Sequence, residues 1–162
     1  FFISVKKVGV DGLIVVDVPP EEDGEIFNLA RKNKIDLIKL ATPTTSIERL
    51  KKILKTCSGF LYYVSIKGIT GTKSANPKLV KVSMKNIKNN TNIPVAVGFG
   101  IKGPTDAKVI ANTGCDGIVV GSALVEIIEN SLKKEKSKHN IAIKKISSMV
   151  KGIRKKLAWI LG

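Results

Sequence analysis

A parallel α/β sheet is the architecture this sequence predicts. Short runs rich in Val, Ile and Leu recur at 13–16, 37–40, 60–64, 94–97 and 117–120. Each is too short for a typical helix, and most are bounded by Gly, Pro or polar residues, as in strands buried on both faces. The runs start about 20 to 35 residues apart, with helix-like segments between them, which is the rhythm of β-α-β units. No antiparallel hairpin signal appears. Right-handed crossovers would curl such an array toward a (β/α)8 barrel. Five strands cannot close a barrel of eight. The expectation is therefore a single domain over 1–162 that forms the C-terminal part of a barrel, with three strands preceding it. The first residue is Phe1 and the first methionine is Met84, which fits a piece of a longer chain.

Taken in order, residues 2–10 read as the end of a helix stopped by Gly9. The strand at 13–16 runs into Asp17-Val18-Pro19-Pro20, where proline cannot continue a ladder. Residues 21–34 read as a helix, acidic first and basic last, in keeping with the helix dipole. After the strand at 37–40, Ser46 precedes Ile47-Glu48-Arg49 and caps a helix that reaches Lys55. In the third strand Tyr62 and Tyr63 must point to opposite faces, so one belongs to the core and the other to the opposite face. A long loop covers 65–77. A helix over 78–89 leads to the fourth strand. A short helix follows Gly121, a charged connector spans 133–138, and an amphipathic helix over about 140–161 ends the chain.

Composition narrows the function classes. A length of 162 residues allows one sizeable core. Nothing near the start resembles a signal peptide, and no apolar run reaches the roughly 18 residues of a membrane span. Cys57 and Cys115 have no spacing that suggests a disulfide framework or metal site. His139 is the only histidine, which argues against histidine-based metal binding and a Ser-His triad. The net charge is +15. A basic surface can bind nucleic acid, but here Lys greatly outnumbers Arg, and Ile and Asn are abundant. That is the bias of an AT-rich genome, with lysines on solvated helix faces.

The stretch 93–129 holds the densest chemical signal. Gly98, Gly100 and Gly121 sit where strands hand over to helices and leave backbone N–H groups uncovered. Ser122 adds a hydroxyl at a helix start. Glycine turns beside helix N-termini at adjacent strand ends form an anion site suited to phosphate, and barrel phosphate sites lie after the last two strands. The same glycines could instead serve only as tight turns.

Residue by residue, PVAVGFGI (94–101) and GCDGIVVGSALV (114–125) resemble the tryptophan synthase alpha subunit family. The glycine patterns are partly shared with other phosphate-binding barrels. GVDGLIVVDVPPEE (9–22), ATPTTSIERLKKI (41–53) and SGFLYYVSIKGITGTK (58–73) extend the resemblance over nearly the whole chain, and VDVPPEE and YYVS are its specific parts. Thr42 before Pro43, and the basic Lys67 and Lys73, depart from common family patterns.

The resemblance implies retro-aldol cleavage of indole-3-glycerol phosphate to indole and glyceraldehyde 3-phosphate, a lyase step of tryptophan biosynthesis in the cytoplasm. It implies phosphate held by Gly71, Gly100, Gly121 and Ser122. It implies an indole pocket lined by Ile14, Val16, Leu40, Tyr62 and Phe99, with Thr70 closing over the ligand. The family's catalytic Glu and Asp belong to early strands and loops and match no position here, so no catalytic residue is assigned in this sequence. No metal or cofactor is implied, pyridoxal phosphate belonging to the beta subunit. That subunit is the implied partner, in an alpha2-beta2 tetramer, facing Asp17-Val18-Pro19 and the 65–77 loop. Neither nucleic acid nor membrane is implied. The alternatives are another phosphate-binding barrel enzyme, of sugar or histidine metabolism, and a basic nucleic-acid-binding module.

Overall fold

The computed structural model describes residues 1–65, 76–98, 100–133 and 139–157. In chain order these form α1 (Phe2–Lys7), β1 (Gly12–Ile14), α2 (Gly24–Lys32), β2 (Asp36–Ala41), α3 (Ile47–Lys55) and β3 (Leu61–Val64). There follow α4 (Pro77–Lys88), β4 (Val95–Gly98), α5 (Pro104–Ala111), β5 (Gly117–Val119), α6 (Ser122–Leu132) and α7 (His139–Leu157). The five strands make one sheet in the order β1-β2-β3-β4-β5, and every pairing is parallel. Sequential parallel order with right-handed crossovers puts the connecting helices on one face of the sheet. The result is half of a β/α barrel.

Register assigns each strand residue to a face. Leu40, Tyr62, Ala96 and Gly117 align across β2 to β5. Residues on that parity form the concave face, and their neighbours meet the helices. Leu37, Leu61, Tyr63, Val95 and Val97 point to the helix layer and are almost fully buried, and all but Leu37 belong to one core cluster with Leu50, Ile53, Val80, Met84, Ile87 and Ile110. Each such side chain contributes about 1.5–3 kcal/mol through burial. The concave face is only partly covered: Tyr62, Val64, Ala96 and Val119 are half-buried, and Ile14 is 48% exposed. β2 to β4 are thus buried more completely on the helix face than on the concave face, where only Ile38 and Gly98 are buried, because a sheet of five strands curls without enclosing its own interior.

The alternation separates the two tyrosines. Tyr63 enters the helix layer, and its hydroxyl meets Ser83 Oγ at 2.8 Å. Tyr62 lies on the concave face across β4. A Cβ on Gly98 would sit 2.3 Å from the Tyr62 hydroxyl oxygen and 2.5 Å from its ring. Only glycine leaves room for that ring.

Helix ends follow local chemistry. Ser46 Oγ accepts the Arg49 N–H at 3.2 Å and caps α3. Asn76 does the same for Lys78, ahead of Pro77 in the first turn of α4. The helix expected over 21–34 is shorter at both ends. Glu22 N–H bonds Pro19 O at 3.0 Å in a turn, Asp23 takes the N-cap position, and Lys34 adopts φ +55° beyond the end. β1 stops at Ile14 rather than reaching Val16, because its pairing with β2 ends at Ile14↔Ile38. α7 packs on α5 and α6, with Gly152 close over Pro104.

One strand residue breaks the apolar pattern. Lys39 points into the helix layer, is 5% exposed, and pairs there with the fully buried Asp23. Thr56 Oγ donates to the same Asp23 oxygen at 2.8 Å. Nearby, Arg49 grips Glu21 through both carboxylate oxygens, at 2.6 and 2.7 Å. That hydrogen bonding, with Lys52 adding to it, holds the Glu21 carboxyl below its ordinary pKa. These contacts tie the segment after β1 to β2 and α3.

Two stability predictions follow from this packing. Gly98→Ala should cost about 1–3 kcal/mol by overpacking, and far less in a Tyr62→Ala background; urea melts of the four variants read the coupling. Equal cost in both backgrounds would mean that the ring does not restrict Gly98. Lys39→Met should cost about 3–5 kcal/mol, because it strands the Asp23 carboxylate. Adding Asp23→Asn should recover part of that loss, whereas strict additivity in a double-mutant cycle would show the pair to be uncoupled.

Candidate anion site

Barrel sites form at the C-terminal ends of strands, and a cavity lies there beyond β3, β4 and β5. It measures about 200 Å³ and is lined by Tyr62, Gly100, Ile101, Val119, Gly121 and Ser122. Gly100 has φ +74°, a conformation glycine adopts without strain. Its turn carries the chain from β4 toward α5. Gly121 is the N-cap of α6, has no side-chain capping bond, and would give an added Cβ nothing to touch within 4 Å. The first N–H groups of a helix have no intrahelical acceptor. The α6 N-terminus, Ser122 and the Gly100 turn therefore surround a space that favours negative charge. Burial raises the Tyr62 pKa.

Four of the expected site residues, Tyr62, Gly100, Gly121 and Ser122, thus line one cavity. Ile14, Val16 and Leu40 do not line it. Ile14 shares the concave parity of Tyr62 but stands two strands away. Val16 and Leu40 line a second hollow of about 240 Å³, with Val18, Pro19, Lys39 and Arg49 among its walls. Val16 is 68% exposed, and Asp17 is exposed too. Thr70, Gly71 and Phe99 lie outside the described residues. Lys39 is the residue sequence reasoning missed near these strand ends. A lysine inside an otherwise apolar strand was its signal.

Among the described residues, no group of three or more His, Cys, Asp or Glu side chains could hold a metal ion. No described helix is long and apolar enough to cross a membrane. Cys57 and Cys115 are free and buried, and burial raises both thiol pKa values.

The fold and motifs match known proteins closely. The chain superposes on the tryptophan synthase alpha subunit of Legionella pneumophila str. Paris with a TM-score of 0.79 and 30% identity, covering 97% of this chain and 55% of that one. Against the tryptophan synthase complex of Pyrococcus furiosus the TM-score is 0.78 and the identity 33%, covering 94% and 57%. Against tryptophan synthase from M. tuberculosis in its aminoacrylate-bound form the values are 0.72 and 26%, covering 96% and 54%. The chain spans a little over half the length of these relatives. The family model for the tryptophan synthase alpha chain matches residues 1–154. With the motifs, the five parallel strands and this match in agreement, the chain belongs to the tryptophan synthase alpha chain family.

Proposed function

We propose that this chain supplies the phosphate-binding side of an indole-3-glycerol phosphate site, within an enzyme that cleaves that substrate to indole and glyceraldehyde 3-phosphate. The observation that carries the reading is the shared cavity of Tyr62, Gly100, Gly121 and Ser122 at the C-terminal strand ends. The α6 dipole and uncovered N–H groups favour a phosphate there. Tyr62 borders the same cavity from the concave face and would set the substrate's aromatic end along the sheet. Gly71, Thr70 and Phe99 belong to this reading by motif.

The retro-aldol step needs a proton delivered to the indole ring and a base for the glycerol hydroxyl. The family's Glu and Asp for these roles have no counterpart in this sequence. The residues here bind and orient, and the acid/base pair comes from the part of the relatives that this chain does not span. A beta subunit fits as partner. One relative of 34% identity is described as the a2b2 complex of Pyrococcus furiosus, and the segment after β1, with exposed Asp17 and Pro19, offers a surface for it. No cofactor is assigned to this chain.

Gly121→Asp separates the anion site from a set of tight turns. A Cβ there meets nothing, so the substitution adds charge without a clash. Calorimetry with sn-glycerol 3-phosphate should show at least about a tenfold loss of affinity, near 1.4 kcal/mol, while Gly121→Asn loses less. Unchanged binding by the Asp variant would overturn the phosphate assignment. In a separate assay, the chain alone should release no indole from indole-3-glycerol phosphate. Indole release by residues 1–162 unaided would place the acid/base pair within this sequence after all.

A further inference from the structure

We propose that Ser65 is a positioning residue for the anion cradle, acting through the Gly98 carbonyl and not by touching the ligand. The proposal rests on the phosphate reading above and deepens it.

Ser65 directly follows β3, and its side chain is buried. The last pair of the β3–β4 register is Val64↔Gly98. Beyond it, the Ser65 N–H donates to Gly98 O at 3.2 Å, which continues the ladder. The Ser65 hydroxyl donates to the same oxygen at 2.8 Å. A buried hydroxyl needs a partner, and this one spends its proton on a carbonyl already bonded by the ladder. Two donors occupy both lone pairs of that oxygen.

The acceptor's place explains the arrangement. Gly98 ends β4, and two residues later Gly100 turns through φ +74° to line the cavity. A glycine at a strand end is free to rotate, and here no side chain can steady it because the Tyr62 ring fills that space. Ser65 supplies the restraint from the neighbouring strand. With the Gly98 carbonyl held by two bonds, the end of β4, two residues before Gly100, is held too. Ser65 itself lies outside the cavity lining. The turn after β4 is therefore set by a side chain from the residue that directly follows β3.

The test uses the full chain and its Ser65→Ala, Ser65→Cys and Ser65→Thr variants, each checked for folding by circular dichroism. Inorganic phosphate and sn-glycerol 3-phosphate are titrated by calorimetry, and amide hydrogen exchange is followed at Gly100 and Ile101. Ser65→Ala should weaken both ligands by about tenfold and speed exchange at Gly100 even without ligand. Ser65→Thr, which keeps the hydroxyl, should stay within about threefold of the parent, and Ser65→Cys, a weaker donor, should fall between. If Ser65→Ala fails to fold, the ordering of Cys and Thr decides the matter. A folded Ala or Cys variant that binds phosphate as the parent does, with unchanged Gly100 exchange, overturns the role of Ser65 and leaves the anion site standing. A parent chain that binds neither ligand overturns the anion-site reading and this proposal together.

Discussion

The Tyr62 ring occupies the space where a side chain on Gly98 would have to be, and much of the concave face is arranged around that contact. It requires glycine at the end of β4, and it makes Tyr62 a wall of the cavity beyond that strand. The period of two along β3 does the rest. With Tyr62 committed to the concave face, Tyr63 must enter the helix layer, where it anchors the core through Ser83. One pair of adjacent aromatics thus joins the hydrophobic core to the candidate site. The core holds the strand ends in place, and the strand ends present the backbone groups that line the candidate anion site.

Small residues make the concave face usable. Ala96, Gly98 and Gly117 share the Tyr62 parity on β4 and β5. Bulkier residues there would fill the space before any ligand could. The helix face carries the opposite composition, with Leu61, Tyr63, Val95 and Val97 packed to near-complete burial. The deepest burial is on one side of the sheet and the candidate site on the other. Asp116 shows the same division along the strands: at their N-terminal ends it accepts Lys88 at 2.6 Å and the Val95 N–H at 2.8 Å, a purely structural clamp.

Much of this was legible in the sequence, for physical reasons. Buried parallel strands need short apolar runs, so all five strands were marked. Ser46 announced its helix because a hydroxyl at that position caps free N–H groups. Gly100, Gly121 and Ser122 were legible as bare backbone at strand ends, and they line one cavity in the fold. Long-range side-chain pairing was not legible. Lys39 looks like an interruption of an apolar strand until Asp23, on the far side of α2, is seen beside it. The bond from Ser65 to Gly98 spans 33 positions, and nothing local encodes it. The grouping of Ile14, Val16 and Leu40 with Tyr62 and Phe99 in an indole pocket came from family resemblance. The register sets Ile14 two strands from Tyr62, and Val16 and Leu40 line a separate hollow.

The central claim is that this half-barrel carries a phosphate cradle built from the turns after β4 and β5. Chemical-shift mapping of the 15N-labelled chain, titrated with sn-glycerol 3-phosphate and separately with glycerol, tests it most directly. The account predicts that the largest amide shifts fall on Gly100, Gly121 and Ser122, with the phosphate ester and not with glycerol. Shifts centred instead on the lysines of α7, or identical responses to the two ligands, would contradict it.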